Sequence, residues 1–446
     1  MRDAFRVTRG AVGDALMAPA IKARRGAALL IALAVIAIVG AVSTQFVYHT
    51  RSQIWMAGNY ATQAKAYFHA RSGTKIALLA VNAKKNFPEM QKLLGLLGKS
   101  AAQRLEIWPR ACDFVKIFAT GKAEFFGAAI LDFTDEKAVG ADSKRDGVPG
   151  FSCTVTAEDS RVNLNRGATE RPVTATLPTI GGASPPPVSA APTKQQMAAQ
   201  QRNATQLYVQ LGGLLRPMIN SGELDSEESI IDLVLNIIDW TDADDTKSAV
   251  SPDGNFTEGT GAEGGDYGQY GYDAKNAKMD TVGEVQLVDG MTSDIYCKIR
   301  DNLTVFATSK INVNDADLAV LKGIICTSIN DDILRAQLCF VPGPNGITAA
   351  VDDALLDLEV CRGIKKQLYS TPFTSMGKFT NFFQQYPKVM QTGIPIPAAR
   401  NVLTQQLGTT TKMVRIETEG VYGDTKTKMT TIVDRDTGAV VHFHYE

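Results

Sequence analysis

The densest group of candidate ligands in this sequence is an acidic, glycine-rich stretch that runs from Asp239 to Asp273. It contains nine carboxylates: Asp239, Asp242, Asp244, Asp245, Asp253, Glu258, Glu263, Asp266 and Asp273. Carboxylates at this density repel one another unless a cation joins them. Ca²⁺ accepts about six to eight oxygen ligands in loose geometry, whereas Mg²⁺ demands a nearly ideal octahedron. The stretch therefore predicts a calcium site or, if no cation binds, a solvated acidic loop.

An EF-hand does not fit this stretch. In a loop that begins at Asp242, the sixth position requires glycine and the twelfth a bidentate glutamate. The sequence has Lys247 and Asp253 at these positions. The predicted ligand set is therefore an irregular one: Asp239, Asp242, Asp244, Asp245, Asp253, Glu263 and Asp266.

The same stretch spells GxGxxG from Gly259 to Gly264. The dinucleotide fingerprint needs a strand before it, a helix after it and room for a pyrophosphate. Here the flanks are acidic, and Glu263 inside the motif would repel phosphate. We expect no nucleotide site.

Residues of the common catalytic motifs are sparse. The four histidines are His49, His69, His442 and His444, and the last two alternate along a predicted strand, so both can lie on one face. A zinc site would need further ligands that the sequence does not place, so exposed strand histidines are the simpler interpretation. The sequence contains neither GxSxG nor HExxH. We therefore expect that the chain is not an enzyme.

An uncharged apolar stretch, Gly26 to Tyr48, comes before all of these residues. At about 1.5 Å of rise per residue it covers roughly the 30 Å of a bilayer core, where the backbone must be helical. Arg24 and Arg25 directly precede it, and the positive-inside rule keeps that end in the cytoplasm. We predict a single-pass anchor, with the rest of the chain on the far side of the membrane.

The helical pattern continues beyond the membrane. Apolar residues recur at three- and four-residue spacings as far as Val81, and Pro88 ends the pattern. A helix from Ala27 to about Lys85 is predicted. Its apolar face beyond the bilayer needs a globular head or neighbouring helices as a partner.

Three kinds of processing are compatible with this N-terminus. A signal peptidase could cleave near Gly40 to Ser43, although the apolar region is long for a signal peptide. The stretch could instead remain as an uncleaved anchor. The third possibility is cleavage between Gly26 and Ala27, before the apolar run. That cleavage would leave 40 basic and 45 acidic residues and a net charge of −5, which gives no indication of a nucleic-acid partner.

Strand patterns lie on both sides of a long helical region. The predicted order is a leader (1–26), a stalk helix (27–85), a first part of a head (86–165), a Pro/Ala-rich linker (166–203), a helical domain (204–400) and C-terminal strands (401–446). Within the first part of the head, 86–110 reads as helix and 122–133 and 150–165 as strand. The C-terminal strands are joined by turn signals at Gly423-Asp424 and Thr437-Gly438. This order predicts an α+β fold in which one small antiparallel sheet is interrupted by an inserted helical domain.

The six cysteines form no CxxC or metal-ligand spacing, and an even count in an oxidising compartment favours disulfides. Sequence alone cannot fix the pairing. Our prediction joins Cys112 with Cys153 and pairs the other four among themselves.

Several motifs, taken together in order, resemble the minor pseudopilin K (GspK) family of type II secretion. They follow the RG/AALLI junction at Gly26–Ala27: SRVNLNR (160–166), NIIDWTDADD (236–245), DTVGEVQLVDGMT (280–292) and INVNDADLAVL (311–321). The resemblance covers most of the chain. It implies a pilin-like fold whose insertion resembles SAM and helix-hairpin-helix modules, and a calcium site in the acidic stretch.

The resemblance also implies a maturation pathway and a place of action. A prepilin peptidase would cleave after Gly26 and methylate Ala27, although Ala27 departs from the bulky first residue common in pilins. The fifth mature residue is Ile31, where most pilins carry a glutamate that pairs with the subunit above. A chain without that glutamate suits the tip of a pseudopilus, where no subunit stands above it.

The implied role is to initiate pseudopilus assembly in the inner membrane, with the C-terminal part in the periplasm, and so to support secretion across the outer membrane. Implied partners are minor pseudopilins I and J, then H, the major pseudopilin and possible secreted substrates. The alternatives are a minor type IV pilin and a membrane-anchored periplasmic protein that recognises a secreted substrate or DNA. Ile311 to Gly323 resembles a DNA-binding hairpin, but Asp315 and Asp317 make phosphate binding unfavourable.

Overall fold

A computed structural model describes residues 18–83, 108–113, 122–125, 128–132, 150–168, 194–251, 255–263, 267–308, 310–329, 331–342, 349–368, 372–384 and 400–446. The α-helices in these residues are α1 (Ala18–Val81), α2 (Lys194–Ser221), α3 (Glu227–Thr241), α4 (Ser293–Ile299), α5 (Leu318–Thr327), α6 (Asp332–Cys339), α7 (Ala350–Leu368), α8 (Met376–Gln384) and α9 (Arg400–Gln406).

The strands are β1 (Lys122–Phe125), β2 (Ala128–Asp132), β3 (Gly150–Ala157), β4 (Val162–Asn163), β5 (Thr246–Val250), β6 (Phe256–Ala262), β7 (Leu303–Thr304), β8 (Ile311–Asn312), β9 (Leu407–Gly408), β10 (Met413–Tyr422), β11 (Thr425–Asp434) and β12 (Val440–Tyr445).

Helix α1 has 64 residues, a length of about 96 Å at 1.5 Å per residue. Among the described residues it is the one helix that is long and apolar enough to cross a membrane, and its most apolar window is entirely exposed. Its later part packs on protein and buries Ala66, Ala70 and Ala77. The helix begins at Ala18, before the predicted start at Ala27, and ends at Val81. The single-anchor prediction is compatible with this helix.

A four-stranded antiparallel sheet carries the head, in the order β12-β11-β10-β3. Strands β10 and β11 pair along their full length, from Met413↔Asp434 to Tyr422↔Thr425. The turns that follow these two strands contain Gly423 and Gly438, with φ of 58° and 74°, which glycine adopts without strain. The predicted C-terminal strands and their turns are confirmed.

The stalk helix and the sheet meet at Gly420. A Cβ on this glycine would lie 2.1 Å from the carbonyl oxygen of Ala66 and 2.4 Å from the amide nitrogen of Ala70. One turn further along, the hydroxyls of Thr74 and Thr418 are 2.6 Å apart and buried. The absence of a side chain at Gly420 therefore sets how closely α1 approaches the sheet.

The helical region is inserted between two neighbouring strands of this sheet. Strand β3 ends at Ala157 and pairs with β10, which begins at Met413, so the intervening chain leaves and re-enters the sheet at one place. Val414 and Ala157 pack there with Ala77 and Val81, the end of α1 farthest from its bare apolar part. The predicted α+β, pilin-like fold with a helical insertion is confirmed.

The insertion has a large apolar core to which α2, α3, α5 and α7 all contribute. Helices α2 and α5 cross at Gly213 and Gly323, where a Cβ on Gly323 would lie 2.1 Å from the Cα of Gly213. This crossing joins the first and second halves of the insertion.

Two Asn-X-Asn motifs close the insertion with the same hydrogen bonds. The side chain of Asn165 accepts from the amide of Met279 and donates to the carbonyls of Met279 and Val305. Asn314 accepts from the amide of Phe373 and donates to the carbonyls of Phe373 and Thr409. The first asparagine of each motif is the last residue of a two-residue strand in a parallel pair, β4 with β7 and β8 with β9.

Three local predictions are corrected or fall outside the described residues. Helix α2 begins at Lys194, inside the predicted linker 166–203, because glutamines and alanines favour helix even without an apolar period. The acidic stretch contains the β5–β6 hairpin and is not a continuous loop. The helix predicted over 86–110 lies mostly outside the described residues, except for a 3₁₀ turn at Trp108–Arg110.

The disulfide prediction is half correct. Cys112 bonds to Cys153, as predicted, and ties the segment after the stalk to β3. Cys326 bonds to Cys339 and joins α5 to α6. The expectation that all four remaining cysteines form disulfides is wrong, because Cys297 in α4 and Cys361 in α7 are free thiols.

We predict that Gly420→Ala destabilises the protein by about 1–3 kcal/mol, the usual cost of overpacking, because the new methyl group must push α1 away from β10. The measurement is the thermal midpoint of the detergent-solubilised chain. Gly268→Ala is the control, since a Cβ there meets nothing within 4 Å. Equal midpoints for both variants would contradict the close contact at Gly420.

Candidate metal centre

Three carboxylates from separate parts of the acidic stretch converge at the end of α3. Asp239 lies in the last turn of α3, Asp242 is the residue directly after the helix, and Glu263 follows β6. One ligand oxygen from each lies within 4.8 Å of the others. Within the described residues this is the one group of three or more side chains of metal-binding type that meets this distance.

The three side chains are buried, with 5 %, 1 % and 2 % of their surfaces exposed for Asp239, Asp242 and Glu263. Asp239 accepts a hydrogen bond of 2.8 Å from the amide of Ser248 in β5. Asp242 Oδ1 and both carboxylate oxygens of Glu263 are buried without a hydrogen-bond partner. Buried polar atoms are ordinarily bonded, so three unsatisfied oxygens in one place indicate a missing ligand.

Burial and mutual repulsion make the three carboxylates difficult to ionise. Burial, with the charges of Asp244 and Glu263 next in order, raises the pKa of Asp242 to about 9. Burial and the charge of Asp239 raise the pKa of Glu263 to about 8. The pKa of Asp239 is also raised by burial. Without a cation, Asp242 and Glu263 hold protons at neutral pH.

The side chains fit a hard cation. All the donors are carboxylate oxygens, the class of ligand that Ca²⁺ and Mg²⁺ prefer, with no nitrogen or sulfur that would favour zinc. The varied sequence spacing of the three carboxylates suits the loose geometry of Ca²⁺. A divalent ion would bridge α3 to the end of the hairpin and satisfy the three bare oxygens.

The other predicted ligands lie elsewhere or outside the described residues. Asp244 accepts from the amide of Thr246, and exposed Asp245 accepts from the side chain of Asn276, so neither belongs to the group of three. Asp253 and Asp266 lie outside the described residues. The negative charge of Asp244 nevertheless acts on Asp242.

An aromatic cluster beside the carboxylates was not predicted from the sequence. Trp240 packs edge-on against Tyr267 at 5.3 Å and against Tyr272 at 6.1 Å. The Trp240 indole nitrogen and the Tyr267 hydroxyl are buried without partners. The tyrosine-rich sequence from Tyr267 to Tyr272 was the available signal, but it gave no indication that these rings cover Trp240.

The remaining candidate sites have ordinary structural explanations. Gly259 and Gly261 lie within strand β6 and not between a strand and a helix, so the GxGxxG motif lacks the dinucleotide geometry. The rings of His442 and His444 stack at 6.5 Å on one face of β12, and His442 also packs on Phe306. No third metal ligand joins them among the described residues.

The N-terminal site residues lie in α1. Ala27 and Ile31 are exposed on the bare part of the helix, with 64 % of Ile31 exposed. Gly26 belongs to the same continuous helix. Cleavage after Gly26 and methylation of Ala27 stay predictions.

Comparison with known proteins gives one result of interest. No protein-family model and no curated protein matches the sequence. A solved structure described as the GspK-GspI-GspJ complex from the type 2 secretion system of enterotoxigenic Escherichia coli contains a similar chain. The identity is 15 % and the TM-score 0.45, over 89 % of this chain and 99 % of that chain.

We predict that, without a cation, the protein loses stability as pH rises from 7 to 8. A carboxyl group whose pKa is raised by folding binds its proton more tightly when folded, so the free energy of unfolding falls with pH, by up to about 1.4 kcal/mol per unit and group. The free energy of unfolding falls over the pH range from about 4, the ordinary pKa of a carboxyl group, up to the pKa values of Asp242 and Glu263 in the folded protein.

The range from pH 7 to 8 lies above the titration of two histidines, whose effect on the free energy of unfolding has the opposite pH dependence. Burial lowers the pKa of His69 and of His442, so these histidines add stability as pH rises toward about 6.5 and little above it. The measurement is the thermal midpoint in EGTA. A midpoint that rises between pH 7 and 8 would show that the three carboxylates are already ionised and solvated in the folded protein.

Proposed function

We propose that this chain is a minor pseudopilin at the tip of a type II secretion pseudopilus. The observation that carries the proposal is α1: a bare membrane-spanning segment that continues, without a break, into a part packed on a small antiparallel sheet. The motif order of the GspK family supports the more specific assignment.

The bare surface of α1 is longer than a bilayer needs. From Ala27 to Tyr48 the helix covers about 33 Å, close to the thickness of a hydrocarbon core. Ile54, Trp55 and Tyr60 lie beyond that span and are 65–70 % exposed. These side chains need neighbouring helices, and the proposed neighbours are the minor pseudopilins I and J, then H, and the major pseudopilin.

The residue at position 31 and the placement of the insertion favour the tip. A buried carboxylate in lipid is tolerated only when it is paired, and Ile31 removes the need for a subunit above. The insertion joins the sheet at the end of α1 that is farthest from the anchor. A bulky domain there would block the addition of another subunit ahead of this one, which fits a chain that begins assembly.

The proposed location is the inner membrane, with a cytoplasmic N-terminus and the head in the periplasm. The proposed role is structural and not enzymatic: the subunit would initiate the pseudopilus that supports secretion across the outer membrane. The type IV pilus alternative shares the same stalk, and a secreted-substrate receptor would need no neighbouring stalks.

We further propose that Asp239, Asp242 and Glu263 hold a structural Ca²⁺. The ion would balance the repulsion among the three carboxylates and fasten the β5–β6 hairpin to α3. Its contribution would be to the stability of the insertion, because it would join the end of α3 to the end of the hairpin.

A mature N-terminus at methylated Ala27 is the expected result of mass analysis of the protein extracted from its native membrane. Gly26→Ala is expected to retain the leader, because the peptidase requires the glycine that the resemblance assigns to it. An intact leader on the unaltered protein would contradict the proposed pilin maturation. A trimmed protein that never joins a filament would instead favour the receptor alternative.

Calcium is expected to raise the thermal midpoint of the unaltered protein at pH 8, and Asp242→Asn is expected to abolish that shift. In EGTA the same variant should melt higher than the unaltered protein, since a buried amide is uncharged and, unlike Asp242, does not have to take up a proton on folding. Tb³⁺ should show luminescence sensitised by the adjacent Trp240, and the variant should lose it.

Asp273→Asn is the matched control, because Asp273 is an exposed carboxylate of the same stretch that lies outside the group of three. It should keep both the calcium shift and the terbium signal. If calcium leaves the midpoint of the unaltered protein unchanged, the proposed ion is wrong, whereas the proposed pseudopilin role would be unaffected.

A further inference from the structure

Strand β12 lies at one edge of the head sheet, and among the described residues no strand pairs with its outer side. Glu446 and Lys428 exchange both of their backbone hydrogen bonds, at 2.8 and 2.9 Å. Opposite residues of an antiparallel pair alternate between bonded and non-bonded pairs, so His444 also bonds to β11, whereas Phe443 and Tyr445 do not. The backbone N–H and C=O groups of Phe443 and Tyr445 therefore point away from β11, towards solvent.

This edge has few of the features that keep natural edge strands from pairing. The strand, VVHFHY, contains no lysine and no proline. Its pairing with β11 is regular from His442 onwards, and the one irregularity lies before that residue. The side chains of Phe443 and Tyr445 are 47 % and 56 % exposed. An edge of this kind is a template for the addition of another strand.

Contacts on both faces hold β12 in place. On one face the ring of Tyr445 packs edge-on against Tyr67 of α1, with 5.3 Å between the ring centroids. On the other face the ring of His442 packs on Phe306 of the insertion, at 4.7 Å. A binding surface that is already ordered loses little conformational entropy when a partner binds. The edge is therefore prepared to receive a strand without rearrangement.

The exposed edge is continuous with the bare surface of the stalk. Tyr60 lies about two helical turns before Tyr67, so the two rings lie on the same side of α1. Tyr60 is 70 % exposed. Tyr67 contacts Tyr445, whose ring lies 6.2 Å from that of Phe443. A molecule that covers the stalk at Tyr60 therefore lies beside the open edge of β12.

The direction of β12 argues against a symmetric pair of this chain. In β10, Val414 packs with Ala77. Further along the strand Gly420 meets Ala66, an earlier residue of α1, so β10 runs against α1. Strand β12 has the same direction, because the pairs β10–β11 and β11–β12 are both antiparallel. Two copies with their stalks in one membrane would have parallel β12 strands, whereas a two-fold axis that sets one edge against itself reverses the strand.

We propose that an extended segment from the head of a neighbouring minor pseudopilin, I or J, adds to β12 as a further strand of the sheet while its stalk packs on α1. The identity of this neighbour rests on the proposed function. The segment pairs with the outward backbone groups of Phe443 and Tyr445, the mode in which many domains bind extended chains. Its side chains on the α1 side are apolar, because they lie beside the rings of Phe443 and Tyr445.

Hydrogen exchange of the full chain in detergent, read at single residues, tests the edge directly. In the chain alone the amides of Phe443 and Tyr445 should exchange freely, whereas the amide of His444 is protected by its bond to β11. Addition of purified full-length minor pseudopilins I and J from the same cell should slow exchange at residues 443 and 445 by about tenfold or more. His444 is the internal control.

A proline substitution separates the backbone bond from side-chain packing. Phe443→Pro removes an outward N–H without removing a bond to β11, and proline is tolerated on edge strands. It should weaken the binding of I and J by about tenfold, with an unchanged thermal midpoint. The matched control, Phe443→Val, keeps the N–H and should bind like the unaltered chain. If a lowered midpoint shows that the proline variant is misfolded, the exchange measurement decides.

The possible outcomes separate the strand addition from the proposed function. Binding of I and J with unchanged exchange at Phe443 and Tyr445, or equal losses for the proline and valine variants, would overturn the strand addition and leave the pseudopilin role intact. Failure of I and J to bind would overturn both. Exchange that slows when the chain alone is concentrated would identify a second copy at this edge and would also overturn the proposal.

Discussion

The head and the insertion depend on two adjacent buried carboxylates at the end of β3. Glu158 accepts two hydrogen bonds from the Arg415 guanidinium, at 2.7 and 2.8 Å, and a third from the Thr304 hydroxyl. Asp159 accepts from three backbone amides, those of Thr308, Lys412 and Met413. These bonds tie the place where the chain leaves the sheet to the place where it returns. Because the strands at that place are neighbours, the insertion has a fixed direction relative to the stalk.

The same chain shows how two groups of buried carboxylates take opposite roles. Burial would raise the pKa of Glu158, but the hydrogen bonds and charge of Arg415 outweigh it and hold the pKa below its ordinary value. Asp242 and Glu263 are buried to the same degree without a cation or donors, and their pKa values rise to about 9 and 8. Satisfied oxygens indicate a structural ion pair. Unsatisfied oxygens with mutual repulsion indicate a site that needs a ligand.

The sequence predicted the features that depend on local periodicity. The long apolar helix, the alternating strands and the glycine turns at Gly423 and Gly438 were all readable without long-range contacts. The group of carboxylates that meet was only partly readable. The pairing of β5 with β6 determines which ones meet, because it returns Glu263 to the end of α3. The amino-acid composition of the stretch does not determine which residues of β5 and β6 pair. The packing of Trp240 against Tyr267 and the pairing of Glu158 with Arg415 depend on tertiary contacts in the same way.

The insertion consists of two halves that are closed by the same pattern of hydrogen bonds. Asn165 and Asn314 hold both backbone groups of one distant residue and the carbonyl of another, each beside a two-residue parallel pair. The same hydrogen-bond geometry therefore recurs at two positions far apart in the sequence. The first half carries the carboxylate centre, whereas the second has the Cys326–Cys339 disulfide. A cation and a covalent bond can each constrain a short connection that an apolar core holds weakly.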